Sequence, residues 1–360
     1  MNILIDIGHP AHVHLQRNVY RQLVADGHNV FVVAKPTRAI IDLLNLYDIP
    51  FTPVGGNRDS LWGKAWLQIR NFFYLWHFVR KHKIDIGVQG MTVAWVSRVT
   101  PMKSIILDDD DDEVESLFVK YAHPFADVIL SPDCIKRKSR HTIYYAGTHE
   151  LAYLYSNRFV PDNNVLKEAD IKDGEKFFIL RFNAFKAHHD IGAKGLSIEG
   201  KRKLVNLLQK HGRVFITTER NIDEEFRPYR LKVMPHKIHS LMYYATMLIG
   251  DSQTMTSEAA ILGTPAIKCN SFAGRLSVPN EIEQQYNLCY SFLPEQEEEF
   301  FAKIDELLSM PNLKAEWQRR REKMLADKID YAQFLTWFIE NYPDSEKIMR
   351  DNPDYQWRFR

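Results

Sequence analysis

Short apolar runs alternate with stretches of helical spacing along the first third of the chain. Asn2–Ile7 (NILIDI) and Val30–Ala34 (VFVVA) have strand length, and between them Leu15, Val19 and Leu23 recur at helical intervals. Ile40 to Leu46 reads as a second helix and Leu61 to Lys83 as a long one, followed by strands at Ile84–Gln89 and Ser104–Asp108. Strands alternating with helices predict βαβ units and a parallel sheet covered on both faces. A polar, turn-rich stretch, Arg158 to Lys176, interrupts the pattern, which then restarts. Phe177–Phe182, Arg213–Glu219, Thr246–Gly250 and Pro265–Cys269 read as strands; helices are predicted near Ile198–Lys210 and Lys237–Ala245 and directly after Gly250. The expected organisation is an N-terminal α/β domain over 1–160 and a C-terminal one over 161–330. The aromatic segment 330–360 is expected to pack back on the first.

Composition narrows the class. With 45% hydrophobic and 26% charged residues the chain has ample material for a core. A net charge of +1 provides no global field toward nucleic acid, so none is expected as a partner and any anion site must be built locally. Three scattered cysteines, Cys134, Cys269 and Cys289, argue against a disulfide framework and suit a reducing cytoplasm. The start of the sequence shows no secretory pattern, and nothing approaches the ~18 consecutive apolar residues of a spanning helix.

The segment Leu61–Lys83 is the one membrane candidate. It mixes aromatics with Lys64, Arg70, Arg80, Lys81 and Lys83, as a surface-lying helix on anionic lipid would. The favoured reading is a buried amphipathic helix, with Trp62, Trp66, Ile69, Phe73 and Trp76 as its core stripe and a basic end that suits the helix dipole.

In open α/β sheets ligands sit outside the carboxyl ends of the strands, which directs attention to the residues after each run. One such stretch is LIGDSQTMTSEAAILGTPAI, Leu248 to Ile267. A helix starting at Ser252, Gln253 and Thr254 presents unpaired amides that suit a phosphate, and Ser252 or Asp251 can cap it. Glu258, one turn in, would repel that phosphate but can accept from a diol further along the ligand, such as a ribose. An ordinary capped helix explains the same residues. His9, His12 and His14 crowd the first strand end, where proton transfer or acceptor contact, a metal site, and simple capping or packing compete. Arg181 follows the second domain's first strand, with Lys186, His188, His189 and Asp190 beyond it as phosphate or sugar contacts, Asp190 orienting an imidazole. Arg220 has a similar strand-end place. The acidic run Asp108–Glu113 reads mainly as a solvated turn, with one or two members facing a ligand.

Asp251, Ser252, Glu258, Ala259, Gly263 and Pro265 resemble the nucleotide-binding segment of GT-B-fold enzymes, the MurG-type glycosyltransferases and the non-hydrolysing UDP-N-acetylglucosamine 2-epimerases. Gln253 and Thr254 stand where the epimerases have glycines. More widely, IGHPAHVHLQRN, HELAYL, RFVPD, RFNAFKAHHD and SEAAILGTPAI look like segments of an uncharacterised GT-B-related family of bacteria and archaea. The resemblance implies two Rossmann-like domains around a central cleft. Ser252, Gln253 and Thr254 would face a diphosphate, Glu258 the ribose, and His236 the base. His12 falls on the histidine of the MurG-type loop, with His14 the alternative. Asp111 and Glu113 fall on the family's acidic positions, as a general base or acceptor contacts. The expected activity is metal-independent transfer of a sugar from a nucleotide-sugar, UDP-linked by preference, to a glycan or lipid-linked acceptor in surface polysaccharide synthesis. No cofactor is expected, and the location is the cytoplasm or the inner face of the membrane. A nucleotide-sugar 2-epimerase and a non-catalytic nucleotide-sugar-binding protein are the rivals.

Overall fold

The computed structural model describes residues 1–56, 60–182, 195–218 and 222–360, leaving aside the side chains of Leu61 and Lys64. The chain divides into two compact units, Met1–Tyr153 with Lys328–Arg360, and Leu154–Asp327. Each is built on a parallel sheet.

The first unit has strands β1 (Asn2–Ile7), β2 (Asn29–Ala34), β3 (Thr52–Pro53), β4 (Ile86–Val88), β5 (Lys103–Leu107), β6 (Val128–Pro132) and β7 (Thr142–Tyr145). Among the described residues they run in the order β3-β2-β1-β4-β5-β6-β7, every pair parallel. The order reverses between β1 and β4, so the loops after these strands diverge to opposite faces and leave a crevice at their carboxyl ends. The apolar strand residues Ile3, Leu4, Ile5, Ile105, Ile106 and Ile129 are buried, as a sheet covered on both faces requires. The returning helix Tyr331–Glu340 packs on the helix Pro10–Ala25. Tyr331 stacks on Tyr145 at 4.2 Å between ring centroids, and Gln356 Oε1 accepts the Ala146 amide.

The second unit has β8 (Phe177–Arg181), β9 (Arg213–Thr217), β10 (Met247–Gly250), β11 (Ala266–Cys269) and β12 (Cys289–Phe292), in the order β12-β11-β10-β8-β9 and again all parallel. Its reversal lies between β8 and β10, and the helix Gln253–Ile261 starts there.

The long helix corrects the sequence reading. It spans Leu61–His82, capped by the Ser60 hydroxyl, which accepts from Gly63 N at 3.0 Å. Its inward line is Gln68, Phe72, Leu75 and Val79. Gln68 donates to Thr92 Oγ1 at 2.7 Å, and Leu75, Phe78 and Val79 join Leu4, Val93 and Val96 in the core. The aromatic stripe was expected in the core, but Trp62 is 88% exposed and Trp66 68%, with Ile69 and Phe73 also exposed and Trp76 half-buried. Two stripes share the same helical spacing, and only the more polar one faces the sheet.

Gly250 closes β10 opposite Arg181 of β8, and a Cβ there would lie 2.0 Å from the Arg181 carbonyl oxygen. The obstacle is backbone rather than a flexible side chain. Gly250→Ala is therefore expected to destabilise the protein by about 3 kcal/mol, read as a lower urea midpoint at unchanged slope.

Candidate functional site

In the second unit the helix Gln253–Ile261 begins at the carboxyl end of β10. Ser252 caps it: its hydroxyl accepts from Met255 N at 3.4 Å. The Thr256 hydroxyl donates to the Ser252 carbonyl at 2.7 Å, so it is spent within the turn. Asn270 Nδ2 donates to the Asp251 carbonyl at 2.9 Å and fixes the strand-to-helix corner. The Gln253 and Thr254 amides begin the helix without intrahelical partners, at the positive end of the helix dipole. Beneath them lies Lys268, on β11 and 1% exposed. Its ammonium donates to Gln253 Oε1 at 2.8 Å. Burial pushes the Lys268 pKa down to about 8, which still leaves it mostly charged at neutral pH. Gln253 Nε2 has no hydrogen-bond partner among the described residues. Thr254 is exposed. Glu258 is buried, and its Oε1 meets His239 Nε2 at 2.9 Å. Arg181 ends β8, with Nη1 3.4 Å from Thr217 Oγ1.

In the first unit the polar groups gather at the ends of β1, β5 and β7. Asp6, near the end of β1, lies against Gly90, where a Cβ would fall 2.1 Å from Asp6 Oδ2; only glycine leaves room for the carboxylate. Burial raises the Asp6 pKa to about 7. His9 caps the helix Pro10–Ala25, its Nδ1 accepting from Ala11 N at 3.2 Å. His12 Nδ1 accepts from Gly8 N at 3.4 Å. Burial, and then the nearby His9 and His149, lower its pKa to about 3. His12 is therefore neutral, and with Nδ1 accepting, its proton sits on Nε2. In that form its Nε2–H can donate a hydrogen bond.

The acidic run after β5 divides its work. Asp108 is buried between His123 Nε2 at 2.7 Å and Arg137 Nη1 at 3.0 Å. Asp112 also meets Arg137 Nη1, at 2.7 Å. Arg137 further donates to the carbonyls of Asp108 and Asp110, so one guanidinium ties down the whole acidic turn. Asp109 Oδ2 takes His149 Nδ1 at 3.0 Å. Burial alone would push Asp109 up and His149 down, but their mutual charge and hydrogen bond outweigh it, lowering Asp109 and raising His149. Glu150, raised to about 7 by burial and the charge of Asp109, follows His149 in sequence. His149 Nε2 and Glu150 Oε2 are both buried with no hydrogen-bond partner among the described residues. Buried polar atoms are seldom left so, and an oxygen-rich ligand would satisfy both.

The sequence-derived candidates distribute unevenly. Ser252, Gln253 and Thr254 come together at the helix start, and Glu258 stands behind them on His239. His12 lies within electrostatic reach of the Asp109–His149 pair. His14 does not. It is buried, with Tyr47 Oη 3.2 Å from its Nδ1 and Tyr153 5.4 Å away ring to ring. Asp111 starts a turn, its carbonyl accepting from Val114 and Glu115, and Glu113 is exposed; Asp109 is the carboxylate of the run that pairs with His149. His236 is half-buried in a short 3-10 turn, Pro235–Lys237. Lys186, His188, His189, Asp190 and Arg220 lie outside the described residues. Sequence reasoning reached Asp109 only as a member of the acidic run, and it passed over Asp6, His149, Glu150, His239 and Lys268. Two of these carried a signal, a lone carboxylate in the apolar NILIDI and a lone lysine in PAIKC. Among the described residues, no three His, Cys, Asp or Glu are grouped to hold a metal ion.

Two parallel sheets, each with polar groups at its carboxyl edge, make this a GT-B-like α/β protein, and solved structures agree. The forosaminyltransferase SpnP is similar with a TM-score of 0.65 at 16% identity, over 97% of this chain and 99% of that one. The UDP-GlcNAc 2-epimerase of Neisseria meningitidis bound to UDP-GlcNAc gives 0.64 at 14%, over 94% and 98%. The chain belongs to the family described as Protein of unknown function (DUF354), which matches residues 1–285. Within known proteins it is 24% identical over 287 residues to the uncharacterized protein MJ0665 of Methanocaldococcus jannaschii, covering 75% of this chain and 82% of that one.

Because His149 is held above its ordinary 6.5 and Asp109 below its ordinary 3.8, the pair is ionised between those values. Its stabilisation is present in that window. It is lost as pH falls through the depressed Asp109 pKa, and also as pH rises through the raised His149 pKa. Asp109→Asn should remove the upward influence on His149, so that its ring protons titrate at lower pH by NMR; an unmoved titration would separate the two groups.

Proposed function

We propose that this protein transfers a sugar from a nucleotide-sugar, UDP-linked in the first instance, to a hydroxyl of a glycan or lipid-linked acceptor. The observation that carries the reading is the start of the helix Gln253–Ile261. First-turn amides, the Gln253 amide and the buried Lys268 ammonium gather donors and positive charge at one strand end. A diphosphate uses all three. Arg181, at the end of the neighbouring β8, adds a guanidinium suited to the same anion. Glu258, oriented by His239, accepts from the ribose hydroxyls.

The first unit supplies the acceptor chemistry. Glu150, with a pKa of about 7, takes the hydroxyl proton as that oxygen attacks the anomeric carbon. The bond from that carbon to the diphosphate breaks, and its electron pair leaves with the phosphate. The Asp109–His149 pair presents Nε2–H to a substrate oxygen, and neutral His12 offers a second donor. The likeness to a forosaminyltransferase and to a UDP-GlcNAc 2-epimerase supports the donor class. One observation favours 2-epimerisation as a second reading: Asp6 and Glu150 are both carboxyls with a pKa near 7, able to exchange protons at neutral pH.

Three measurements test this. UDP-sugars at about 100 times their dissociation constant should add about 2.7 kcal/mol of stability, visible as a thermal shift; a flat response across UDP-, GDP-, CMP- and dTDP-sugars would end the proposal. Glu258→Gln should weaken UDP binding by about 1–3 kcal/mol in calorimetry. Glu150→Gln should leave UDP affinity unchanged and lower turnover by about a hundredfold or more. Epimerisation of UDP-GlcNAc without acceptor would select the second reading, and tight binding with no turnover a non-catalytic role.

A further inference from the structure

The helix Leu61–His82 carries a face that neither site uses. Trp62, Trp66, Ile69 and Phe73 follow one another at intervals of four, three and four residues, so they form a single line along the helix. All four are exposed, Trp62 by 88%. Large aromatics left in water along three turns mark a surface that something covers.

The surroundings say what. From Leu61 to Lys83 there is no Asp or Glu, while Lys64, Arg70, Arg80, Lys81 and Lys83 are all basic. Arg70, Arg80, Lys81 and Lys83 are exposed. The Arg80 guanidinium lies over the Trp76 ring at 5.0 Å, at the edge of the stripe. On the side of Phe72 the apolar surface continues into a groove of about 330 Å³ lined by Phe72, Trp95, Arg98, Val99, Tyr121 and Phe125. Leu117, nearby in sequence, is a further exposed apolar residue. The charges flanking the groove are Arg98 and Lys103, which share Asp127, and Lys120, over the Tyr121 ring. No described helix is long and apolar enough to cross a membrane.

From this juxtaposition we infer that the face of Leu61–His82, with the adjoining groove, docks the protein on an anionic lipid surface. The tryptophans enter the headgroup boundary, where an amphipathic ring is at home, and the lysines and arginines meet lipid phosphates. A second copy of the chain is the poorer occupant, because the same face turned on itself sets basic residues against basic residues. The inference stands apart from the proposed reaction, and its test involves no nucleotide.

Full-length protein is sedimented with phosphatidylcholine vesicles made with and without phosphatidylglycerol. Binding to the anionic vesicles is expected, weakening by about tenfold or more without phosphatidylglycerol and again in high salt. The pairs Trp62→Ser with Trp66→Ser, and Arg70→Gln with Arg80→Gln, should each reduce partition by about tenfold or more. Because these side chains are exposed, the thermal midpoint should stay put, so lost binding is not lost folding. Wild-type protein that stays in the supernatant, or variants that bind as well as it does, would overturn the inference. So would a dimer in sedimentation velocity that Trp66→Ser dissociates, since that assigns the face to a second copy.

Discussion

A strand paired in parallel on both sides cannot turn back on its neighbour, so each connection must cross a face of the sheet and re-enter at the same edge. Both units obey this constraint, and it determines where chemistry can sit. Strands such as β1 and β10 are sealed above and below by helices and must be apolar: Ile3, Leu4, Ile5, Leu248 and Ile249 are all fully buried. Most of the polar groups are then drawn toward the strand ends. The reversals of order, β1 against β4 and β8 against β10, place helix starts and loops at the carboxyl ends of these strands. His9 and His12 occupy one such place, and Ser252, Gln253 and Thr254 the other.

Charge buried at these edges has to be matched locally. In the first unit Arg137 neutralises Asp108 and Asp112, and His149 neutralises Asp109. Removing one partner from such a set is far worse than never having built it, because the survivor stays buried without compensation. The C-terminal segment takes part in this matching. Tyr331 stacks on Tyr145 and lies 5.6 Å from the His149 ring, so residues late in the chain hold the imidazole that residues near position 109 charge. Glu150 and Asp6 form no ion pair among the described residues, and burial makes them hold their protons to about pH 7.

The α/β class was legible because apolar runs of strand length and helical spacing are set by backbone geometry, which neighbours in sequence report directly. What a helix stripe packs against is not a local property. Trp62, Trp66, Ile69 and Phe73 have the spacing of a core face, yet the line Gln68, Phe72, Leu75 and Val79 has the same spacing and is the one turned to the sheet. Hydrophobicity identified the stripe, and only the partner, Thr92, identified the side. The same limit explains the histidines. His12 and His14 are two residues apart on one helix, so they point to different faces, and which one meets Asp109 depends on a strand nearly a hundred residues away. Within the acidic run, the turn that Arg137 imposes selects Asp109 over Asp111, and Arg137 lies beyond the next strand.

The departure at Gln253 has a physical reading. A glycine-rich turn offers a phosphate its backbone amides at close range, and a side chain at the same place crowds that approach. Gln253 brings donors of its own, provided its amide is held the right way round. Lys268 does this: an ammonium can only donate, so the oxygen of Gln253 must face it and the Nε2 group must face away. A lysine in the middle of an apolar strand, between Ile267 and Cys269, is costly to bury. Its position under Gln253, with no salt bridge among the described residues, gives that burial a purpose. The buried charge orients a neutral amide and adds its own field at the point where the helix dipole is also positive.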